Sequence, residues 1–272
     1  MAILIIKHNE QQKLIKKNKK MYFCNSFINT KTNKTMGRAF EYRKERKMKR
    51  WSAMSKTFTR IGKEIVMAIK ANGPNPDSNY RLKIAIQNAK GANMPKENVE
   101  NAIKKATSKE QKDLAEVLYE GYAPHGVAIM VETATDNPTR TVANIRHIFS
   151  RYGGTMGNSG SVEFMFERKA MFVIKAQNVN FDELELNLID FGLEQLEQNL
   201  DDDEIMVHTQ FINFGTMQKA LEEQGLQLLS SEAVRIPVAN KQLTEDQEDA
   251  VFTLIEKLEE DDDVQKVFST CV

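Results

Sequence analysis

Ten residues near the start of the chain, 42–51, read YRKERKMKRW and contain six Lys or Arg against one Glu. Guanidinium and ammonium groups at this density bind polyanions, and the planar guanidinium fork suits phosphate oxygens. The run therefore predicts a nucleic-acid contact dominated by phosphates, with weak base readout. Tyr42 and Trp51 flank the run, where each ring either stacks on a base or anchors a helix in its core.

The formal charge of the chain is zero, but the charge is unevenly distributed. Residues 1–35 carry a net charge of +7, residues 36–112 carry +12 and residues 113–272 carry −19. A strongly basic stretch repels itself unless anions neutralise it, and an acidic remainder repels nucleic acid. This separation favours nucleic-acid binding over a merely solvated basic face, and it leaves the acidic part free to dock a protein partner.

The basic candidates continue from the run onto the helices that follow it. The predicted phosphate contacts are Arg43, Lys44, Arg46, Lys47, Lys49, Arg50, Lys56, Arg60, Lys63, Arg81 and Lys83. Charge alone does not distinguish duplex DNA from ribosomal RNA, because both present dense phosphate.

A glycine-rich loop, GGTMGNSG at 153–160, lacks the spacing of the dinucleotide-binding and P-loop motifs. We expect a turn between a helix and a strand, with close approach to a ligand backbone as the alternative. The acidic runs at 201–204 and 261–263 lack the spaced ligands and central Gly of a calcium loop, which predicts solvated loops.

The histidines have no second metal ligand at helical spacing, which argues against a metal site. They are His8, His125, His147 and His208. We therefore predict no enzymatic activity, no metal, no cofactor and no small-molecule substrate. An enzyme with its site between the acidic domains, and a protein-interaction scaffold, are the weaker alternatives.

The cell compartment follows from two further absences in the sequence. No run of about 18 apolar residues exists, so no membrane partner is expected. Cys24 and Cys271 lie at opposite ends of the chain and form no disulfide framework or metal spacing, which is typical of a reducing cytoplasm.

Composition and hydrophobic periodicity divide the chain into four parts. Residues 1–35 are rich in Lys and Asn, and we expect disorder or a non-native extension upstream of a start at Met36, with a basic arm that adds to nucleic-acid affinity as the alternative. Residues 36–112 predict a basic bundle of three or four short amphipathic helices. Phe58, Ile61, Ile65, Ala68 and Ile69 would face its core, and Asp77 and Ser78 would cap the next helix.

Residues 113–272 alternate between strands and helices. VLYEGYAP and VAIMVETATD predict a hairpin closed by PHG, then a helix at NPTRTVANIRHIFSRYGG and a third strand at SVEFMFER. Residues 169–241 predict the ferredoxin-like order β-α-β-β-α-β. The predicted class is α+β: an N-terminal helical bundle followed by two ferredoxin-like α/β sandwich domains. The second sandwich, 169–241, would be inserted in the first, 113–168 plus 242–272.

Several segments together resemble the YebC/PmpR family. They are FTRIGKEI, GPNPDSNYRLKIAIQNAKGANMPKENVENAI, EGYAPHGVAIMVE, TDNPTRTVANIRHIF, GGTMGNSGSVEFMF and DDVQKVF, in order from Met36 to Phe268. The resemblance implies a helical domain followed by two α+β domains, no enzymatic activity and a start near Met36. Members are described as cytoplasmic DNA-binding transcriptional regulators. Others, including the mitochondrial translational activator of cytochrome oxidase, act on the ribosome, and bacterial relatives are linked to relief of proline-rich stalls.

The basic run departs from the pattern of that family. Many members open with a KWxxIKHRK-like stretch, whereas this chain has RAFEYRKERKMKRWSAMSK. Arg46 and Lys47 best match the closing basic pair, and Trp51 falls at a different place. The resemblance therefore carries over the basic charge but no specific base recognition.

Overall fold

The computed structural model of the protein describes residues 38–108, 113–177, 179–199 and 203–271, with side chains described from Met54 onward. The expectation for residues 1–35 lies outside the described residues, as do the side chains of Tyr42 and Trp51. The described residues form seven α-helices and two four-stranded antiparallel sheets. The predicted α+β class is confirmed. No helix among these residues is long and apolar enough to cross a membrane.

Three helices form the N-terminal part of the fold: α1 (Arg38–Asn72), α2 (Tyr80–Gly91) and α3 (Lys96–Thr107). The predicted apolar face of α1 is buried at Ile61, Ile65, Ala68 and Ile69, where it packs against α2 and α3. Phe58 is half-buried at the edge of this face. The helical core therefore lies around the C-terminal half of α1.

The first helix is longer than the sequence analysis predicted. α1 has 35 residues, so it is about 52 Å long at 1.5 Å per residue. Its sequence contains no Pro and a single Gly, Gly62, so nothing interrupts the helix before Gly73, which has a φ of 86°. The basic run is thus part of the same helix as the buried face, and the expected division into shorter helices is wrong here.

The N-cap of α2 is Asn79, not the predicted Asp77 or Ser78. Its Oδ1 accepts a hydrogen bond from a backbone N–H in the first turn of α2, at 3.1 Å. Its Nδ2 donates to the carbonyls of Ala68 and Gly73, both at 2.7 Å. Asn79 is fully buried, and it ties the end of α1 to the start of α2 as well as capping a helix.

The first sheet has the strand order β3-β1-β2-β8. Its strands are β1 (Ala115–Ala123), β2 (Val127–Thr135), β3 (Thr155–Met156) and β8 (Val264–Ser269). As predicted, β1 and β2 form a hairpin closed by Pro124–Gly126. The helices α4 (Pro138–Arg151) and α7 (Glu245–Glu259) pack against this sheet, with Ile145 and Phe149 of α4 fully buried.

The second sheet has the strand order β5-β6-β4-β7. Its elements in chain order are β4 (Phe166–Lys175), α5 (Phe181–Ile189), β5 (Leu193–Asn199), β6 (Glu204–Gln210), α6 (Phe214–Glu223) and β7 (Leu228–Pro237). This is the predicted β-α-β-β-α-β order. The first sheet differs from it, because β1 and β2 follow one another without a helix between them.

The segment SVEFMFER is not a third strand of the first sheet. Residues Glu163–Met165 form a short 3-10 helix, and β4 begins at Phe166 and belongs to the second sheet. The cause is the buried carboxylate of Glu120, which accepts hydrogen bonds from the backbone N–H groups of Gly160, Val162 and Glu163 at 2.6, 2.7 and 3.1 Å. N–H groups that donate to Glu120 cannot also form the inter-strand hydrogen bonds of a sheet.

Candidate nucleic-acid interface

The basic run lies in the N-terminal half of α1. Residues 43–50 occupy about two helical turns, or about 12 Å of helix axis, and six of these eight residues are Lys or Arg. Positions 43, 47 and 50 recur on one side of the helix, at intervals of four and three residues. The helix therefore concentrates Arg43, Lys44, Arg46, Lys47, Lys49 and Arg50 in a short length.

The next candidates, Lys56 and Arg60, face the acidic end of α7. Both line a shallow depression that is closed on the other side by residues 259–262. The Arg60 guanidinium donates to the backbone carbonyl of Glu259 at 3.2 Å, as a cation at a helix C-terminus does. Burial raises the pKa of the Glu259 carboxyl, and the charges of Arg60 and Lys56 oppose this rise.

Lys63 is bound to the acidic part of the protein. Its Nζ donates to the carbonyls of Ala134 and Asp262 at 2.7 and 2.8 Å and pairs with the Asp263 carboxylate at 3.0 Å. The Lys63 side chain is 18% exposed. All three donors of the ammonium group are used, so this cation joins α1 to the first sheet.

Arg81 and Lys83 of α2 also have carboxylate partners outside the helical part. Arg81 pairs with Glu116 of β1, and Lys83 pairs with Glu222 of α6 at 2.8 Å. Both pairs are partly exposed, so each contributes little to stability. The structure therefore divides the eleven sequence candidates into two groups. Those at 43–50 lie in the first half of α1. The others lie where the helices contact the acidic α+β part of the chain, a region that we term the seam.

Asp263 is the centre of this seam. It is 7% exposed, so the prediction of a solvated loop is wrong at this residue, although the adjacent Asp262 is exposed as expected. Arg140 of α4 donates to its Oδ2 at 2.8 Å, and the hydroxyls of Thr135 and Thr141 donate at 3.1 and 2.9 Å. Lys63 lies 200 positions earlier in the chain, which is why no local pattern reveals the site.

The hydrogen bonds at Asp263 control its protonation. Burial alone would raise the pKa of the carboxyl, but the hydrogen bonds from Arg140, Lys63 and Thr141 outweigh it and lower the pKa from 3.8 to about 2. The folded protein therefore binds the Asp263 proton more weakly than the unfolded chain does.

We expect the stability that Asp263 contributes to depend on pH. A lowered folded pKa gives stability that is complete above about pH 4 and is lost as the pH falls towards about 2. Urea unfolding of the native protein and of Asp263→Asn between about pH 6 and 2.5 measures this. The gap between the two unfolding free energies should shrink with acidification, and a constant gap would contradict the assignment.

A second contact joins α2 to β7 through the backbone. The side-chain amide of Asn88 donates to the Ser231 carbonyl at 3.0 Å and accepts from the Ser231 N–H at 2.9 Å. At Gly91 a Cβ atom would lie 1.8 Å from the carbonyl oxygen of Leu229. Only glycine allows the two backbones to approach so closely.

Replacing Gly91 with Ala is expected to lower the free energy of unfolding by about 1–3 kcal/mol, because the clash is with backbone. Gly62→Ala is the matched control: its Cβ would meet nothing within 4 Å, and Ala favours a helix by about 0.5–1 kcal/mol. Urea unfolding of the two variants should give shifts of opposite sign. A stabilised Gly91→Ala protein would rule out this close approach.

Partly buried ion pairs connect the two sheets near α1. Lys266 of β8 pairs with Glu232 of β7 at 2.7 Å, and Arg235 of β7 pairs with Glu132 of β2 at 3.0 Å. Glu64 of α1 lies close to this group, and burial raises the pKa of its carboxyl. The seam therefore combines α1 and both sheets in one polar network.

The glycine-rich loop follows α4, but it is not the simple turn that the sequence predicted, because Thr155–Met156 within it form β3; φ is 76° at Gly153 and 83° at Gly160. Its Gly160 N–H donates to the Glu120 carboxylate at 2.6 Å and its Gly157 N–H donates to the Glu120 carbonyl at 2.8 Å, so these two donors are used within the fold. Burial lowers the pKa of His208. No group of three metal-ligating side chains occurs in the described part of the chain.

Comparison with known proteins matches the chain in two adjoining regions. The description "TACO1/YebC protein N-terminal domain" matches residues 38–109, and "TACO1/YebC second and third domain" matches residues 114–271. The chain belongs to the TACO1/YebC family. The family boundary between 109 and 114 coincides with the passage from α3 to β1, and the basic run lies within the N-terminal family domain.

Several relatives of this TACO1/YebC chain are named "Probable transcriptional regulatory protein". One from Flavobacterium johnsoniae is 59% identical over 86% of this chain and 98% of the relative. One from Parabacteroides distasonis is 53% identical over 86% of this chain and 96% of the relative. A crystal structure of a conserved hypothetical protein from Aquifex aeolicus superposes with a TM-score of 0.72 at 38% identity, covering 80% of this chain and 90% of that one.

Proposed function

We propose that the protein is a cytoplasmic, non-enzymatic regulator of gene expression that binds DNA through the first half of α1. Arg43, Lys44, Arg46, Lys47, Lys49 and Arg50 would contact phosphates, with little base recognition. The names of its relatives support a regulator of transcription. The domains would be 36–112, 113–165 with 242–272, and the inserted 166–241, because β4 begins at Phe166.

The observation that carries this proposal is the position of the basic run on α1. In the second half, Arg60 and Lys63 are already hydrogen-bonded to the acidic part of the protein. The six cations of 43–50 precede the buried face of the same helix, which begins at Ile61. Such a cationic segment, fixed to an acidic body that repels nucleic acid, directs one end of the molecule to a polyanion.

A ribosome-associated translation factor is the second candidate, and it would bind ribosomal or transfer RNA, including at proline-rich stalls. The resemblance of the chain to a family that includes the mitochondrial translational activator of cytochrome oxidase supports it. The departure of the basic run from the usual family pattern is neutral between the two targets, because phosphate density is similar in both.

Two parallel measurements separate these targets. A transcriptional regulator should give a localised footprint on promoter DNA and stay out of ribosomal fractions at about 150 mM salt. A translation factor should co-sediment with ribosomes and leave promoter DNA without a footprint. In both assays a triple Arg43/Lys47/Arg50→Glu variant should lose the signal. A signal that the variant retains would contradict the role of α1.

A further inference from the structure

A group of exposed apolar side chains lies at one end of the second sheet. Ten large hydrophobic residues are exposed in the described part of the chain, and five of them fall in two short segments, 186–191 and 211–212. They are Leu186, Ile189, Phe191, Phe211 and Ile212, which we term the apolar tip. Leu186 is 70% exposed and Ile212 is 85% exposed, so these side chains contribute little to the core.

The two segments of the apolar tip adjoin one another. The hydroxyl of Thr209 donates to the carbonyl of Gly192 at 2.6 Å, immediately after Phe191. A Cβ atom on Gly192 would lie 2.3 Å from the side-chain amide of Asn213, immediately after Ile212. The five residues therefore form one clustered patch, which is the arrangement that marks an interaction surface; scattered apolar residues are common on any protein.

The tip is attached to the core by aromatic contacts. The ring of Phe211 lies 6.2 Å from that of Phe214, which lies 5.0 Å from the fully buried ring of Phe172. The guanidinium of Arg168 stacks on Phe211 at 3.7 Å. A patch held in this way offers a partner a preformed surface, so little conformational entropy is lost on binding.

The surroundings of the tip are strongly acidic in sequence. Asp182, Glu183, Glu185 and Asp190 are all exposed on α5 and at its C-terminal end. The helix α5, which carries Leu186 and Ile189, has Asp182 and Glu183 in its first turn. The neighbouring cation Lys169 is already paired with Glu194 at 2.9 Å. A cationic ligand is therefore favoured, and nucleic acid is repelled.

We propose that the apolar tip is a docking surface for a protein segment that is rich in Lys or Arg and carries apolar anchor side chains. The anchors would cover Leu186, Ile189 and Ile212, and the cations would meet the exposed carboxylates of α5, Asp182, Glu183 and Glu185. A second copy of the same tip fits poorly, because two acidic surfaces would face each other. This surface is separate from the basic run, so the protein would bind a polyanion at α1 and a cationic protein at the tip.

The test uses the full chain and a labelled 18-residue helical peptide with Leu on one face and Lys on the other. Fluorescence anisotropy should show saturable binding. The double variant Leu186→Ser/Ile212→Ser should weaken it at least about 10-fold, because two apolar contacts are lost. The matched variant Met54→Ser/Tyr80→Ser removes two exposed apolar side chains from the helical part and should leave the affinity unchanged.

Peptide controls separate apolar docking from simple charge attraction. A peptide with Ser in place of Leu should bind at least about 10-fold more weakly, and one with Glu in place of Lys should not bind. The proposal is overturned if the Leu/Lys peptide does not saturate, or if the tip variant binds it like the native protein. It is also overturned if sedimentation shows that the tip variant converts a dimer into a monomer, since the occupant would then be a second copy.

This result is independent of the proposed nucleic-acid function. The tip variant should bind duplex DNA or RNA like the native protein, whereas the Arg43/Lys47/Arg50→Glu variant should bind the Leu/Lys peptide like the native protein.

Discussion

Replacing Asp263 with Ala is expected to lower the free energy of unfolding by about 3 kcal/mol. The change leaves the largely buried ammonium of Lys63 without its carboxylate, and it removes the acceptor of two threonine hydroxyls. Breaking a buried pair by removing one partner costs about 3–5 kcal/mol, and the partial exposure of Arg140 places this case near the lower end. Urea unfolding at pH 7 measures the difference.

Asp262→Ala is the matched control for this prediction. The Asp262 side chain is exposed, and only its backbone carbonyl meets Lys63, which the substitution retains. We expect a change within about 0.5 kcal/mol. Amide exchange should also rise at residues 60–66 of α1 in Asp263→Ala and stay native-like in the control. Equal unfolding free energies for the two variants would show that Asp263 does not hold α1 to the first sheet.

Reversing three charges in the first half of α1 is expected to weaken nucleic-acid binding by about 100-fold or more at 100 mM salt. Each lost phosphate contact makes the slope of log affinity against log salt less negative by about 0.9. The slope for Arg43/Lys47/Arg50→Glu should therefore be less negative than that of the native protein by nearly three. Fluorescence anisotropy with a 20-base-pair duplex measures both quantities. The unfolding free energy should stay close to that of the native protein.

The control variant Lys90/Lys104/Lys105→Glu makes the same change in net charge at exposed positions of α2 and α3. Only the general electrostatic attraction should fall, with a loss of affinity below about 10-fold. If the two triple variants lose affinity equally, net charge alone explains binding and the first half of α1 is not the contact.

Much of the secondary structure follows from local sequence. The hairpin around PHG, the helix α4 and the β-α-β-β-α-β order of the second sheet were predicted from periodicity and turn residues. The misprediction of SVEFMFER has a non-local cause, because Glu120 lies 40 to 43 positions before the N–H groups that it binds. The strand propensity of a local segment gives no information about a contact with a residue so distant in sequence.

The candidate site shows the same limit more clearly. Charge density identified the basic run, but it could not tell which cations already have partners within the fold. Lys63, Arg81 and Lys83 pair with carboxylates that are 200, 35 and 139 positions away. No feature of the sequence around these three residues shows that they are paired. The acidic run 261–263 shows the same limit for carboxylates. Asp263 pairs with Lys63, whereas the side chain of the adjacent Asp262 is exposed.

The salt dependence of nucleic-acid binding by the full chain tests the central claim most directly. If the cations of α1 neutralise phosphates, log affinity should fall linearly with log salt between about 50 and 200 mM, with a slope of about −4.5 to −5.4 for five or six contacts on duplex DNA. An affinity that does not change over this range of salt would contradict binding through electrostatic contacts with phosphates.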